Sequence, residues 1–324
     1  MNNELRTKNN ENIMSEKIYI GVDFGGTKIL TGAMNDKGEM VCEPVKVSTN
    51  ANDDSGKIFK RVTDSIEGVL KKIDSSRLAV NSEKYKVEGI GLGVTGPIDI
   101  KNGVILECPQ LPTMHFYPLK KMVEGFFPLP VYMNNDANCL IYGEALFGSG
   151  KGMNSIVGFT LGTGIGCAIV MDKKILNGST DSAAEIWPSP YLDGTIEDYV
   201  SGSGVSKIYK VICNAGKAQQ TADKTALEIS QLAEKGDPDA LKTWEEFGTH
   251  LAVALSWSVN LIDPDIVILG GSISNAYKFF SSRMEKELRK HLCPTPAERT
   301  KVVCANLGAN AGFIGAASLA LNNV

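Results

Sequence analysis

The chain has 324 residues, 43% hydrophobic and 22% charged, which excludes a disordered or collagen-like polymer and leaves room for two domains of ordinary size. Its 33 basic residues stand against 37 acidic ones, for a net charge of -4, so no bulk field draws it to nucleic acid or to an anionic membrane. The longest apolar runs, about seven residues, fall far short of the roughly 18 that a membrane span needs.

Residues 1–16, MNNELRTKNNENIMSE, are polar and lack an apolar h-region, so they read as a disordered tail and not as a secretory signal. From Lys17, KIYIGVDFGG is predicted to be a buried strand entering a glycine turn, KILTGAMND a second strand leaving it, and EMVCEPVKV a third. Ile58, Phe59, Val62, Ile66, Val69 and Leu70 recur at helical spacing. VEGIGLGV reads as a fourth strand and PVYMNND as a fifth, which ends at Asn134-Asn135-Asp136, where ANCLIYGEALFG continues as a helix. A second cycle opens at Ser155, with SIVGFTLGTG entering a glycine turn and IGCAIVMDKKIL leaving it. Gly21 and Gly158, Gly25 and Gly162, Met34 and Met171, and Lys37 and Lys174 coincide at a constant offset of 137 that also sets Asp23 against Thr160. Such a repeat implies two similar α/β halves, each offering a tight turn to a shared cleft. Helices are predicted over 223–235 and 238–262, a central parallel strand over 265–271 (DIVILGG), and then a helix (AYKFFSSRMEKELRKHL), a strand (KVVCANL) and a closing helix (AGFIGAASLAL).

Seven scattered cysteines without CxxC or CxC spacing, and only three histidines, exclude a zinc ribbon and point to reduced thiols in the cytoplasm. Gly91-x-Gly93-x-x-Gly96 fits a dinucleotide fingerprint. However, PIDIKNGVI follows in place of the helix whose N-terminus would hold a pyrophosphate, so that reading fails. The turns Asp23-Phe24-Gly25-Gly26-Thr27-Lys28 and Leu161-Gly162-Thr163-Gly164 expose backbone N–H groups without an obstructing Cβ, which suits phosphate oxygens. Each taken alone is also an ordinary hairpin turn. Asp136, where a buried strand becomes a helix, is either a carboxylate aimed into a cleft or, like Asn135, a helix cap. Asp23, at the end of an apolar strand, requires a partner or a cation.

DFGGTK after the first strand, GVTGPID, NNDAN, TLGTGIG and ILGGS, in this order and at these spacings, resemble the ROK family of sugar kinases and related repressors, in the actin-like superfamily. The resemblance spans roughly residues 17–320. It implies a two-lobed α/β fold with a ribonuclease-H-like mixed sheet flanked by helices in each lobe. One lobe would be residues 17–133, to which the last helix, 311–324, returns, and the other 134–310. It also implies ATP and Mg2+, a hexose substrate and a homodimer. By the same resemblance Asp136 is the catalytic base. Asn135 holds a sugar hydroxyl, Gly96 approaches the ring, and Glu185 and Glu197 face the sugar. Asp23 positions Mg2+ through water; Gly25, Gly26, Thr27 and Lys28 surround the phosphates, with Gly162, Thr163 and Gly164 as a second clamp. Gly270 and Gly271 leave room for the adenosine, or simply let strand pack on helix.

The chain departs from the family pattern in AAEIWPSPYLDGTIEDYVSG. The cysteine-rich zinc loop is missing, so no zinc site is expected, and Pro188 stands at the position of the family's histidine. One sugar contact is thereby lost or replaced; the resemblance most simply implies phosphorylation of glucose on its 6-hydroxyl, with fructose, N-acetylglucosamine, N-acetylmannosamine and allose as alternative hexoses. Trp187 or Tyr191 could offer a stacking face, although a core role is expected for Trp187. Two non-kinase alternatives are a silent sugar-binding protein and a repressor, and sixteen residues before the first strand are too few for a DNA-binding domain.

Overall fold

Strand β1 (Glu16–Phe24) buries every residue from Ile18 to Val22, and Phe24, as expected of a sheet covered on both faces. This computed structural model describes residues 15–75, 82, 84–214 and 223–324; the polar tail up to residue 14 lies outside the described residues. β2 (Lys28–Asn35) returns antiparallel to β1, and β3 (Val45–Ser48) pairs antiparallel with β2. The third strand was expected from Glu39, but Pro44 has no N–H to give a ladder, and upstream of it Met40 makes only an isolated bridge to Met34. Helix α1 (Ser55–Lys72) starts where the Asp54 carboxylate accepts the Lys57 N–H, and it buries Ile58, Val62, Ile66, Val69 and Leu70. β4 (Tyr85–Val94) lies parallel to β1. The hairpin β5 (Ile98–Asp99) and β6 (Val104–Ile105) and helix α2 (Leu119–Phe126) then lead to β7 (Val131–Asn135), parallel to β4. The first sheet runs β3-β2-β1-β4-β7.

After α3 (Asp136–Phe147) the plan repeats with β8 (Ser155–Leu161), β9 (Ile165–Met171) and β10 (Lys174–Ile175). A small hairpin, β11 (Pro190–Tyr191) and β12 (Gly194–Thr195), precedes helices α4 (Gly202–Asn214), α5 (Ala226–Glu234) and α6 (Pro238–Ile262). β13 (Ile266–Gly270), α7 (Tyr277–His291), α8 (Pro294–Arg299), β14 (Val302–Cys304) and α9 (Ala311–Asn322) complete the chain. The second sheet, β10-β9-β8-β13-β14, has the strand order and directions of the first. The two-lobed, actin-like α/β fold is thus present, with a mixed sheet in each half.

The constant offset holds only in the entering strands. Gly21 pairs with Gly32, whereas Gly158 pairs with Ala168, 136 positions further on. The second turn is one residue shorter, so the Met34/Met171 and Lys37/Lys174 coincidences are not structural equivalents.

Two helices cross between the sheets. α3 follows the first sheet but lays Ile141 against Gly158 of the second. α9, from the end of the chain, packs its backbone onto the first sheet. A Cβ at Gly21 would overlap the Phe313 carbonyl, and one at Gly91 the Ala316 carbonyl. The glycine of the apparent dinucleotide fingerprint is therefore a seat for α9. The two crossing helices also touch each other, Gly143 facing the Ala311 carbonyl at 2.8 Å from an added Cβ. The N-termini of α3 and α9 both border one cavity, through Asp136, Ala137 and Gly312, where the candidate site lies.

Candidate active site

Asn135 and Asp136 divide the roles that the sequence left open. Asn135 is the cap of α3, its Oδ1 accepting the Ala137 and Asn138 N–H groups at 2.9 and 3.4 Å. Its Nδ2 lies where a Cβ at Gly96 would be 3.0 Å away, so the Gly96 backbone and Asn135 are neighbours. Asp136 is the first helical residue; its Oδ1 accepts the Ala137 N–H at 2.8 Å, and the carboxylate borders a cavity of about 420 Å³. Burial, then the nearby Asp23 and Glu185 carboxylates, push the Asp136 carboxyl from 3.8 to about 7.

Asp23 borders the same cavity. Lys28 Nζ pairs with its Oδ2 at 3.2 Å, and the first turn of α9 abuts it, an added Cβ at Gly312 falling 2.8 Å from its Cγ. A cation and a helix N-terminus together offset the cost of a carboxylate at the end of an apolar strand. Gly25, Gly26 and Thr27 form the turn between Asp23 and Lys28. The Gly25 N–H donates to the Lys28 carbonyl, the Thr49 hydroxyl to the Gly25 carbonyl at 2.6 Å, and the Thr49 N–H to the Thr27 carbonyl. Thr27 and Lys28 also border a second hollow with Lys46 and Ser48.

From the other half, Thr160 of β8 and Gly271 after β13 reach the main cavity, while Gly270 does not. Gly270 instead packs against Leu140, 2.7 Å from an added Cβ, which is the strand-on-helix alternative. At Gly271 φ is 85° and a Cβ would press on the Leu161 backbone, so only glycine suits both the space and the conformation. The second glycine turn stands beside the cavity without bordering it. The Gly162 N–H donates to the Gly164 carbonyl at 3.0 Å, and the Gly202 N–H to the Gly162 carbonyl at 2.8 Å; Thr163 at the tip is exposed. Glu197 Oε2 accepts the Ile165 N–H at 3.1 Å, which ties this carboxylate to the turn.

Glu185 stands where solvent reaches it, yet the surrounding protein raises its carboxyl; a hydrogen bond from Trp187 opposes that rise and Glu197 adds to it. The charges of these carboxylates act on one another in sequence, Asp23 and Glu185 on Asp136 and Glu197 on Glu185, and of the four Asp23 and Asp136 border the cavity. The expected core role of Trp187 is overturned. It is 46% exposed, in a loop where Ala184 and Leu192 adopt positive φ. Tyr191, by contrast, is anchored inward, its hydroxyl 2.9 Å from His250 Nδ1 and its ring edge-on to those of Tyr199 and Trp257. The cavity also takes Leu140, Ser272, Ser274, Asn275, Ala305, Gly308 and Ala309, none of which motif reading singled out as a site residue. Only Ser272 was within reach of it, as the last residue of ILGGS. Among the described residues no group of three or more His, Cys, Asp or Glu side chains is placed to hold a metal, and no helix is long and apolar enough to cross a membrane.

Known proteins are similar to this chain along nearly its whole length. The N-acetyl-D-glucosamine kinase of Vibrio cholerae is 31% identical over 323 residues, covering 93% of this chain and 99% of that protein. The glucokinase of Halalkalibacterium halodurans is 29% identical, covering 93% and 94%. The crystal structure of a ROK family glucokinase from Streptomyces griseus, in complex with glucose and AMPPNP, superposes with a TM-score of 0.76 at 28% identity, covering 93% of this chain and 98% of that one. The ROK family model matches residues 19–323, and to that family the chain belongs.

Proposed function

We propose that this chain is an ATP-dependent sugar kinase that phosphorylates glucose on its 6-hydroxyl. The observation that carries the reading is the placement of Asp136. It sits at a cavity wall shared with Asp23, Lys28 and Gly271, with a carboxyl that titrates at about 7. A base needs this value to hold and release a proton near neutrality. Phosphoryl transfer asks chiefly for positioning and charge neutralisation. Asp136 takes the proton of the attacking hydroxyl. Asn135, Glu185 and Glu197 hold the other hydroxyls, and the Gly96 backbone supports the ring. Lys28 and the N–H groups of Gly26 and Thr27 receive the phosphates from one side, with Gly25 shaping the turn and Gly162, Thr163 and Gly164 facing from the other. Gly271 keeps the nucleoside end open.

Asp23 supplies a hard carboxylate oxygen at the cavity wall, the kind of donor that Mg2+ takes when phosphate oxygens and water complete its shell. The site fits the ion, and Asp23 would hold it through water. Bound there, Mg2+ would neutralise charge on the β- and γ-phosphates. We assign residues 17–133 with 311–324 to one lobe and 134–310 to the other, acting in the cytoplasm as a homodimer.

N-acetylglucosamine is the second reading, favoured by the 31% identity to a kinase named for that sugar. An ADP-release assay with MgATP over glucose, N-acetylglucosamine, N-acetylmannosamine, fructose and allose separates the two. The highest kcat/KM is expected for glucose, with a 6-phosphate product by 31P NMR. Release with none of these sugars would overturn the proposal.

A further inference from the structure

Two turns beyond Asp136 on the same helix, Glu144 is fully buried, and among the described residues no cation lies within ion-pair distance of it. A buried unpaired carboxylate is costly unless its lone pairs are satisfied. Two backbone groups satisfy it here: Oε1 accepts the Leu307 N–H at 2.7 Å and Oε2 accepts the Ser149 N–H at 2.8 Å. The space for this carboxylate exists because residue 148 is glycine; a Cβ there would overlap Oε2. Beside it, the Ser149 hydroxyl donates to the Cys304 carbonyl at 2.8 Å. Both contacts grip one segment, from the last residue of β14 onwards, in which Ala305, Gly308 and Ala309 border the main cavity and Gly308 adopts φ 60°.

We infer that Glu144 is a positioning residue for the nucleotide, fixing the 305–309 wall of the cavity relative to the helix that carries Asp136. The inference rests on the kinase reading, with ATP as occupant of that cavity. Neither sugar-facing glutamate touches this wall, so its loss affects nucleotide affinity and leaves sugar affinity alone.

The test is Glu144→Gln. The amide is nearly isosteric but offers one acceptor oxygen and one NH2, so one of the two backbone N–H groups faces a donor. Losing one charge-assisted hydrogen bond corresponds to roughly a tenfold change in affinity. The KM for ATP, and the Kd of a non-hydrolysable ATP analogue by calorimetry, are expected to rise about that much. The hexose Kd and kcat should stay within about twofold. Ser149→Ala, which removes only the hydroxyl bond to Cys304, should shift ATP affinity in the same direction by less, and it serves if the first variant does not fold. ATP and hexose affinities that fall together, or a lowered Tm with unchanged ATP affinity, would overturn the inference. A wild-type protein that binds no adenine nucleotide would overturn the kinase reading, and this inference with it.

Discussion

Replacing Asp136 with Asn should make the protein more stable and nearly inactive, and the gain in stability should depend on pH. The Asp136 carboxyl rises from 3.8 to about 7 on folding, so its ionised form is held at a cost. At 1.36 kcal/mol per pKa unit the cost is on the order of 4 kcal/mol as an upper bound. Water at the cavity wall reduces it to roughly 1–3 kcal/mol. The folded pKa lies above the unfolded one, so the penalty is absent below about pH 4, grows as pH rises to about 7, and is constant above that. Asn keeps an Oδ1 to accept the Ala137 N–H and removes the charge that opposes Asp23 and Glu185. For the protein without ligands, calorimetry from pH 4.5 to 8.5 should give a variant Tm several degrees above wild type at pH 8, converging towards pH 4.5. Turnover should fall by roughly 10²–10⁴, the range for loss of a positioned base. A variant less stable than wild type at pH 8, or a Tm difference independent of pH, would refute the placement of an ionised, uncompensated Asp136 in the cleft.

The same titration sets the acid limb of activity: kcat/KM for the sugar should fall about tenfold per pH unit below about 7, and a flat profile from pH 5 to 8 would count against Asp136 as base. Gly91→Ala drives a Cβ into the Ala316 carbonyl and should cost more than about 3 kcal/mol, read as insoluble expression or a Tm lowered by about 10 °C. Lys28→Met removes the cation beside Asp23 and should raise the KM for ATP at least about tenfold, with the hexose KM unchanged.

How legible the site was depended on whether its residues act through local chain geometry. Strand runs such as DIVILGG and the helix over 238–262 announce themselves by patterning, and α6 runs from Pro238 to Ile262. Asp23, Lys28, Asp136 and Gly271 were reachable because each sits at or next to a strand end, where the chain opens onto a cleft. The division of labour between Asn135 and Asp136 was not, since two adjacent residues of similar capping propensity both offer a side-chain oxygen to the Ala137 N–H. Ala305, Gly308 and Ala309 carry no chemical signature; the Glu144 contact brings them to the cavity from more than 160 residues away in sequence. The one-residue slip between the two hairpins was hidden because identity at a constant offset carries no information on strand register. Trp187 was misplaced because large aromatics are usually buried, whereas this one lies in an exposed loop.

The most direct measurement is a crystal structure of the protein with glucose and a non-hydrolysable ATP analogue. The sugar's 6-hydroxyl should lie within roughly 2.6–3.2 Å of an Asp136 carboxylate oxygen, with the γ-phosphate on its far side near Lys28 and the Gly25–Thr27 turn. A sugar bound with that hydroxyl out of reach of Asp136, or a nucleotide seated outside the cavity between the two sheets, would contradict the account.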